Sequence, residues 1–356
     1  MNFTLYTNRV FIMGQWKPLV CFLLALIMVI SLLGNLFVLV AIWHSRHFMD
    51  SPSNYLIRSL VCSDLLTAIL VMPPSTSLIL SNAWLFGSVA CMLWNVLEVL
   101  CITVTINTFC LIAIDRYVAV TRPLYYPVIV TRNRARLGVI VVWILAVVIS
   151  FFPIVLGWWK TDLPAAQKCY DDDECCDLMA NETYIIVSSI FAFFLPLSIM
   201  LFVYNRIFKE ARHQVDTISH MTIRTIQDNS VMAVKENDQS NRFYMKGQRA
   251  FWTLSIAMGV FLLCWMPFFI AYNIEGICYE CISENILTYL AWLGYSNTAL
   301  NPIIYSRSPD FRKAYKRLLF GQPGADHPLT GRHSTPRRCF DDMFDNFDDM
   351  FGLYDI

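Results

Sequence analysis

The chain is 356 residues long, 56% apolar and only 15% charged, and its 27 basic residues balance its 27 acidic ones. A water-soluble domain carries about 25% charged residues, so this composition argues against one or two soluble globular domains. The 25 Phe, 16 Tyr and 10 Trp exclude disorder over most of the chain, and a zero net charge with no broad basic domain disfavours a nucleic-acid partner.

The apolar residues cluster into seven runs, near 19–42, 55–80, 91–120, 138–159, 184–208, 250–274 and 286–305. Each is long enough to cross a ~30 Å hydrocarbon core, which takes ~20 helical residues. The predicted fold is an all-α membrane protein, a seven-transmembrane helix bundle over 19–306, with an N-terminal segment at 1–18 and a polar third inner loop at about 211–248. The leading stretch lacks a basic n-region and a small-residue cleavage site, so the first run is read as an uncleaved anchor. Pro73-Pro74 in the second run predicts a kink toward its outer end.

Basic residues set the orientation. With the N-terminus outside, only Arg9, Lys17, Lys160 and Lys168 of the 27 Lys and Arg lie on the outer side. Two glycosylation sequons, at Asn2 and Asn181, fall on that same side. The second outer loop is acidic, with Asp171, Asp172, Asp173, Glu174, Asp177 and Glu182. It either concentrates cations at the bundle mouth or is simply a solvated loop.

Five of the 12 Cys (Cys21, Cys62, Cys101, Cys110 and Cys264) sit inside apolar runs and read as small core residues. Cys91, Cys169, Cys175, Cys176, Cys278 and Cys281 face the outer side, an even number in an oxidising compartment, so three bridges are expected. Spacing alone leaves their connectivity open. A bridge from Cys91 to the second outer loop would pin that loop over the bundle mouth.

A carboxylate at mid-bilayer costs several kcal/mol, so an intramembrane acid marks function by default. Two lie well inside the runs, Asp64 and Glu98. Glu98 follows Cys91 by seven residues, which places it ~10 Å below the outer rim on a helix. That depth suits an incoming ammonium group; the plainer reading is internal pairing or protonation. Asp64 shares its level with Asn35, Thr105, Asn297 and Asn301. Such an oxygen-rich set suits a small hard cation such as sodium, or a network that only ties helices together. No other cofactor is implied.

The motifs then converge. Gly34-Asn35, Leu60-Val61-Cys62-Ser63-Asp64, Asp115-Arg116-Tyr117, Trp143, Pro196, Cys264-Trp265-Met266-Pro267 and Asn301-Pro302-Ile303-Ile304-Tyr305 occur in order in the seven runs. Over residues 19–320 the chain resembles a rhodopsin-class G-protein-coupled receptor. Trp84-Leu85-Phe86-Gly87, Cys175-Cys176-Asp177, Ser188-Ser189 and Trp292-Leu293-Gly294-Tyr295 are similar to the aminergic branch, most like β-adrenergic, dopamine and octopamine-type receptors.

The resemblance implies bridges Cys91–Cys176, Cys169–Cys175 and Cys278–Cys281. It implies that Glu98 holds the ligand amine in place of the branch's aspartate, and that Ser188 and Ser189 recognise ring hydroxyls. Val99, Trp265, Phe268 and Phe269 would sandwich the ring, Trp292 and Tyr295 would wall the amine, Tyr295 bonding the carboxylate, and Tyr272 is a further ligand-binding position. Pro196, Ile106 and Phe261 match the packing trio that rearranges on activation. Asp115, Arg116, Tyr117, Tyr204 and Tyr305 match the groups at the G-protein end, and Leu124 the apolar residue that docks on the G protein.

The chain also departs from the β-adrenergic pattern. Tyr272 and Ala291 replace asparagines and Ala192 replaces a serine, which disfavours noradrenaline and leaves small catecholamines, phenolamines or trace-amine-like ligands. Gly247, between Lys246 and Arg249, replaces the acid that pairs with the third-run arginine in many relatives, which implies raised basal signalling. The implied partners are an amine agonist, a heterotrimeric G protein of the stimulatory type raising cyclic AMP, arrestin, a receptor kinase and membrane lipid, at the plasma membrane. The alternatives are a non-amine ligand or a largely constitutive receptor.

Residues 307–320 read as a cytoplasmic amphipathic eighth helix, with Phe311, Ala314, Tyr315, Leu318 and Leu319 on one face and Arg312, Lys313, Lys316 and Arg317 around it. The tail, 321–356, carries Cys339 as a candidate palmitoylation site. Its Phe340, Met343, Phe344, Phe347, Met350 and Phe351 recur at helical spacing among aspartates, which predicts either a disordered segment that folds on a partner or a solubilising tail. A transporter would want internal repeats, and none is visible. An intramembrane enzyme would want a metal or nucleophile constellation. There is no HExxH, and all six His fall in predicted cytoplasmic segments.

Overall fold

The computed structural model describes residues 3–44, 51–81, 83–227, 255–278, 281–306 and 309–320. The expectations for Asn2, for Gly247 with Lys246 and Arg249, and for the tail with Cys339 lie outside the described residues. Among the described residues, eight long helices, with short ones at Tyr126–Ile129 and Pro164–Tyr170, make up most of the compact unit Met1–Leu318. α1 is Phe3–His44, with its apolar span at Pro18–His44. α2 is Pro52–Ser81, α3 Gly87–Thr121 and α4 Arg132–Val155. α5 joins Glu182–Ser189 and Leu195–Gln227 through a π-helical turn at Ile190–Phe194. α6 is Ser255–Ile277, α7 Glu284–Ser306 and α8 Pro309–Phe320.

Six of these are long and apolar enough to cross a membrane. α7 has the length, 23 residues, but spends part of it on Asn285, Asn297 and Asn301. It survives in the bundle because it packs along α1, where a Cβ on Gly34 would come within 2.8 Å of Pro302. α5 runs on to Gln227, into what the polarity assigns to the third inner loop. Residues 209–227 contain no Gly or Pro, the two residues that break a helix most strongly.

Local signals account for the helix ends. Pro52 occupies the first turn of α2, where its missing N–H costs nothing. Thr131 caps α4 by accepting from the Arg134 amide, and Asn181 caps α5 by accepting from the Tyr184 amide at 2.8 Å. Gly87 opens α3 at φ 77°, a backbone angle that a side chain would resist. The kink expected at Pro73-Pro74 takes the form of a π-helical turn at Thr67–Val71, just before the two prolines. Neither proline donates a backbone hydrogen bond, so the ladder widens in the preceding turn.

α3 is the central helix, packed against α2, α4 and α5. Lipid-length apolar side chains such as Phe22, Leu137, Ile144, Phe202 and Leu263 are exposed around the outside. Of the five cysteines read as core residues, Cys101, Cys110 and Cys264 are buried. Cys21 and Cys62 are exposed on the apolar outer face instead. An apolar run does not say which of its residues face lipid, because both faces are equally apolar.

Candidate functional site

The three bridges pair Cys91 with Cys176, Cys169 with Cys175 and Cys278 with Cys281. The first ties the second outer loop to the head of α3, with Cα atoms 5.6 Å apart. Beneath that loop a cavity of about 850 Å³ opens between α3, α5, α6 and α7.

Glu98 lines this cavity from α3. The Tyr295 hydroxyl donates to Glu98 Oε1 across the bundle, as the resemblance implies. Tyr295 is held by two indoles, Trp265 at 5.9 Å and Trp292 at 5.6 Å, both edge to face. Trp265 fits because Gly294 has no side chain; a Cβ there would come within 2.6 Å of the ring.

Of the predicted ligand residues, Glu98, Val99, Ser188, Phe268, Phe269, Tyr272 and Tyr295 line the cavity. Phe268 stacks on Tyr272 at 5.6 Å and meets Phe269 edge to face at 5.5 Å, making an aromatic wall on α6. Trp265 sits below, lining a smaller, deeper cavity with Glu98, Thr105 and Asn297.

Two expectations are corrected. Ser189 does not line the cavity; it is buried and its Oγ accepts from Asn273 Nδ2 at 2.9 Å. Successive helical residues point about 100° apart, so Ser188 and Ser189 do not share a face. Trp292 does not wall the cavity either. Its Nε1 donates to Ser75 Oγ at 3.0 Å, which turns the indole toward α2 and leaves it supporting Tyr295 from behind.

Sequence reasoning missed Asn273 and Ser75, which position others, and Tyr184 and Glu275, which line the cavity. Glu275 was legible, since it follows Phe268 and Tyr272 at seven and three residues, on one helical face. Asp177, named only as a loop acid, also lines the cavity, and burial pushes its carboxyl above the usual carboxylate range.

Below the cavity, Asp64 is fully buried and its Oδ2 accepts from Asn301 Nδ2 at 2.9 Å. Asn35 Nδ2 donates to the Ser31 and Thr298 carbonyls, tying α1 to α7. Thr105 Oγ1 lies 2.8 Å from Ser63 Oγ. The second Asp64 oxygen and the carbonyl oxygens of Asn35, Asn297 and Asn301 are buried without a hydrogen-bond partner. Such orphaned oxygens fit the donor set of a small hard cation.

At the opposite end, Arg116 pairs with the adjacent Asp115 and donates to Ser53 Oγ at 2.7 Å. Asp115 also accepts from the Tyr126 hydroxyl at 2.8 Å, and burial together with that carboxylate pushes the Tyr126 phenol up. Tyr117 packs on the core, Tyr204 lies near Arg116, and Tyr305 stacks on Phe311 of α8 at 5.6 Å. Ile106, Phe261 and Pro196 are buried in the core above them. Leu124 stands 89% exposed on the loop after α3. α8 buries Phe311, Ala314 and Tyr315, the face predicted for it.

A family model described as "7 transmembrane receptor (rhodopsin family)" matches residues 34–305. The chain is 35% identical over 311 residues to the octopamine receptor beta-1R of Drosophila melanogaster, which covers 84% of this chain and 61% of that protein. It is 34% identical over 328 residues to the octopamine receptor beta-2R of Chilo suppressalis, covering 86% of this chain and 82% of that protein. The D(1B) dopamine receptor of Mus musculus is 34% identical over 336 residues, covering 86% and 70%. The chain belongs to the rhodopsin family of seven-transmembrane receptors, and is a receptor rather than an enzyme.

Proposed function

We propose that this rhodopsin-family member is a receptor for a small biogenic amine, with the ligand's ammonium held on Glu98 and its binding relayed to a heterotrimeric G protein. One observation carries the reading. Glu98 is a carboxylate in an aromatic cavity whose hydrogen-bonding neighbour is a neutral phenol, Tyr295, and no Lys, Arg or His stands among the described residues lining that cavity. A half-buried carboxylate without a cation is unfavourable, and an incoming ammonium supplies one. The octopamine and dopamine receptors to which the chain is similar support the same class of ligand.

Val99, Phe268 and Phe269 would enclose the body of the ligand, and Ser188 would meet a hydroxyl on it. Trp265 at the cavity floor would carry its position to Ile106, Phe261 and Pro196. Arg116, Tyr204 and Tyr305 would then open the inner end for a G protein of the stimulatory type, with Leu124 as its apolar contact. Arrestin and a receptor kinase would read the same inner face. Asp64, Asn35, Thr105, Asn297 and Asn301 would hold an allosteric sodium ion. The setting is the plasma membrane with the N-terminus outside.

The test is cyclic AMP in transfected cells against a panel of small amines, on the wild type and Glu98→Gln together. A saturable response to an amine, weakened tenfold or more in the variant (about 1.4 kcal/mol), is expected. Silence to every amine from a receptor shown at the cell surface, with amine binding also absent, overturns the amine reading. A high basal signal without any amine response would instead favour a constitutive receptor or a non-amine ligand.

A further inference from the structure

Arg58 is a cation inside a membrane-length helix with no anion beside it. It lies on α2, six residues after Pro52, at the end of the bundle where Ser53 accepts from Arg116. Its Nε and Nη2 are buried without a hydrogen-bond partner, while the residue keeps part of its surface exposed. No carboxylate among the described residues pairs with it. A guanidinium stays charged in any protein setting, and an unpaired one at this depth, ~9 Å along the helix, is unfavourable.

The neighbour Arg58 does have is a ring. Its Cζ stands 5.3 Å from the centroid of Tyr55, one turn back on α2. Arg136 comes to the same ring from α4, which packs on α2; its Cζ is 4.9 Å from the centroid and its Nη2 donates to the Tyr55 hydroxyl at 2.7 Å. A ring face offers only a partial negative charge, so it stands in for a counterion incompletely. Two guanidiniums on one ring also repel each other. Tyr55 therefore gathers two positive charges from two helices without neutralising either.

The surroundings say what kind of anion fits. Arg136 is exposed, so the cluster opens to the outside of the bundle rather than to its core. α2 and α4 both begin at this end, and helical side chains lean toward the helix N-terminus, which aims both arginines at the inner membrane surface. One turn further along each helix the exposed residues are apolar: Cys62 after Arg58, and Ile140 after Arg136, with Ile144 a turn beyond. Charge at headgroup level with bare apolar surface directly beneath it matches a lipid. A soluble anion would leave that apolar surface unused, and a zwitterionic headgroup would bring its own cation to two guanidiniums.

We propose that Arg58, Tyr55 and Arg136 form a binding site for an anionic glycerophospholipid of the inner leaflet. Its phosphate sits at the edge of the Tyr55 ring against the two guanidiniums, and an acyl chain lies along Cys62, Ile140 and Ile144. The site is separate from the amine cavity and does not depend on the amine reading.

The experiment uses the full chain, purified in detergent and stripped of lipid. It is offered equal amounts of phosphatidylglycerol and phosphatidylcholine with identical chains, and the retained lipid is identified by native mass spectrometry. The first lipid held should be phosphatidylglycerol by tenfold or more, and it should raise the thermal unfolding midpoint where inorganic phosphate does not. Arg58→Gln should bring the preference close to parity, Arg136→Gln should weaken it, and Arg58→Lys should keep part of it. Arg317→Gln removes an equal charge from an exposed position on α8 and should leave the preference intact. Equal retention of the two lipids by the wild type overturns the proposal. So does an equal loss in Arg317→Gln, which would mean diffuse attraction to the whole inner face. Stabilisation by inorganic phosphate as strong as that by phosphatidylglycerol overturns the lipid assignment in favour of a soluble anion. The competition on the wild type decides the matter even where a variant fails to fold.

Discussion

The Tyr295 hydroxyl on α7 donates to the Glu98 carboxylate on α3, joining residues 197 apart in sequence at the floor of the cavity. Removing it with Tyr295→Phe keeps the ring between Trp265 and Trp292 and deletes only the donor. A hydrogen bond to a charged group contributes about 1.5–3 kcal/mol, so the carboxylate becomes harder to bury before ligand arrives. We expect a tenfold or greater change in amine potency with surface expression intact, measured by concentration–response against cell-surface labelling. An unchanged curve would show that the bond is not used in the ligand-bound state.

Gly294 and Gly259 make a matched pair. A Cβ at Gly294 meets the Trp265 ring at 2.6 Å, whereas one at Gly259 meets nothing within 4 Å. Gly294→Ala should lower thermal stability by about 1–3 kcal/mol through overpacking and displace Trp265 from Tyr295. Gly259→Ala should be neutral or slightly stabilising, as expected for Gly to Ala in a helix. Thermal unfolding of the two purified variants, with Trp fluorescence, checks both.

Asp115 accepts from Arg116, Ser53 and Tyr126, and so holds the third-helix arginine inside its own motif. Asp115→Asn removes the charge that keeps Arg116 there. Basal second messenger per receptor at the surface should rise several-fold, and Tyr126→Phe should raise it less. A basal signal that does not move in Asp115→Asn would mean another contact restrains Arg116.

The two sequons should behave differently. Asn181 Nδ2 donates to the Trp158 and Lys160 carbonyls at 2.7 and 3.1 Å, and its Oδ1 caps α5. A glycan on that nitrogen would cost one of these bonds. Asn2→Gln should therefore abolish the mobility shift on glycosidase treatment, and Asn181→Gln should leave it while lowering stability by about 1 kcal/mol through the weakened cap. A shift that survives Asn2→Gln would place the glycan on Asn181.

Losing the roof bridge should be far more damaging than losing the local one. Cys91→Ala with Cys176→Ala releases a closure of 85 residues over the cavity, while Cys278–Cys281 closes only three. A native bridge typically contributes about 2–5 kcal/mol, more for longer loops. Ligand binding and surface display should collapse in the first pair and persist in Cys278→Ala with Cys281→Ala.

How much of this was legible beforehand follows from what each signal measures. Composition and apolar run length are one-dimensional properties, and a bilayer reads them directly. The seven helices, the eighth helix and the special status of Asp64 and Glu98 were therefore available from residue order alone. The motif resemblance supplied the disulfide partners and the family, because it carries spatial information gathered from other chains. Which face each residue presents was not available. Ser188 and Ser189 differ by a single step yet part ways, Cys62 faces outward while Cys101 is buried, and Trp292 turns from the cavity to Ser75. In a helix that is apolar all round, no periodicity marks the inward face, so only packing against the neighbouring helices decides it. The same holds for the gathering of Glu98, Asp177 and Glu275 around one cavity. The sequence determined the depth of Glu98 alone, and only the packed bundle, with the loop held by the bridge to Cys91, decided that Asp177 and Glu275 line the same cavity.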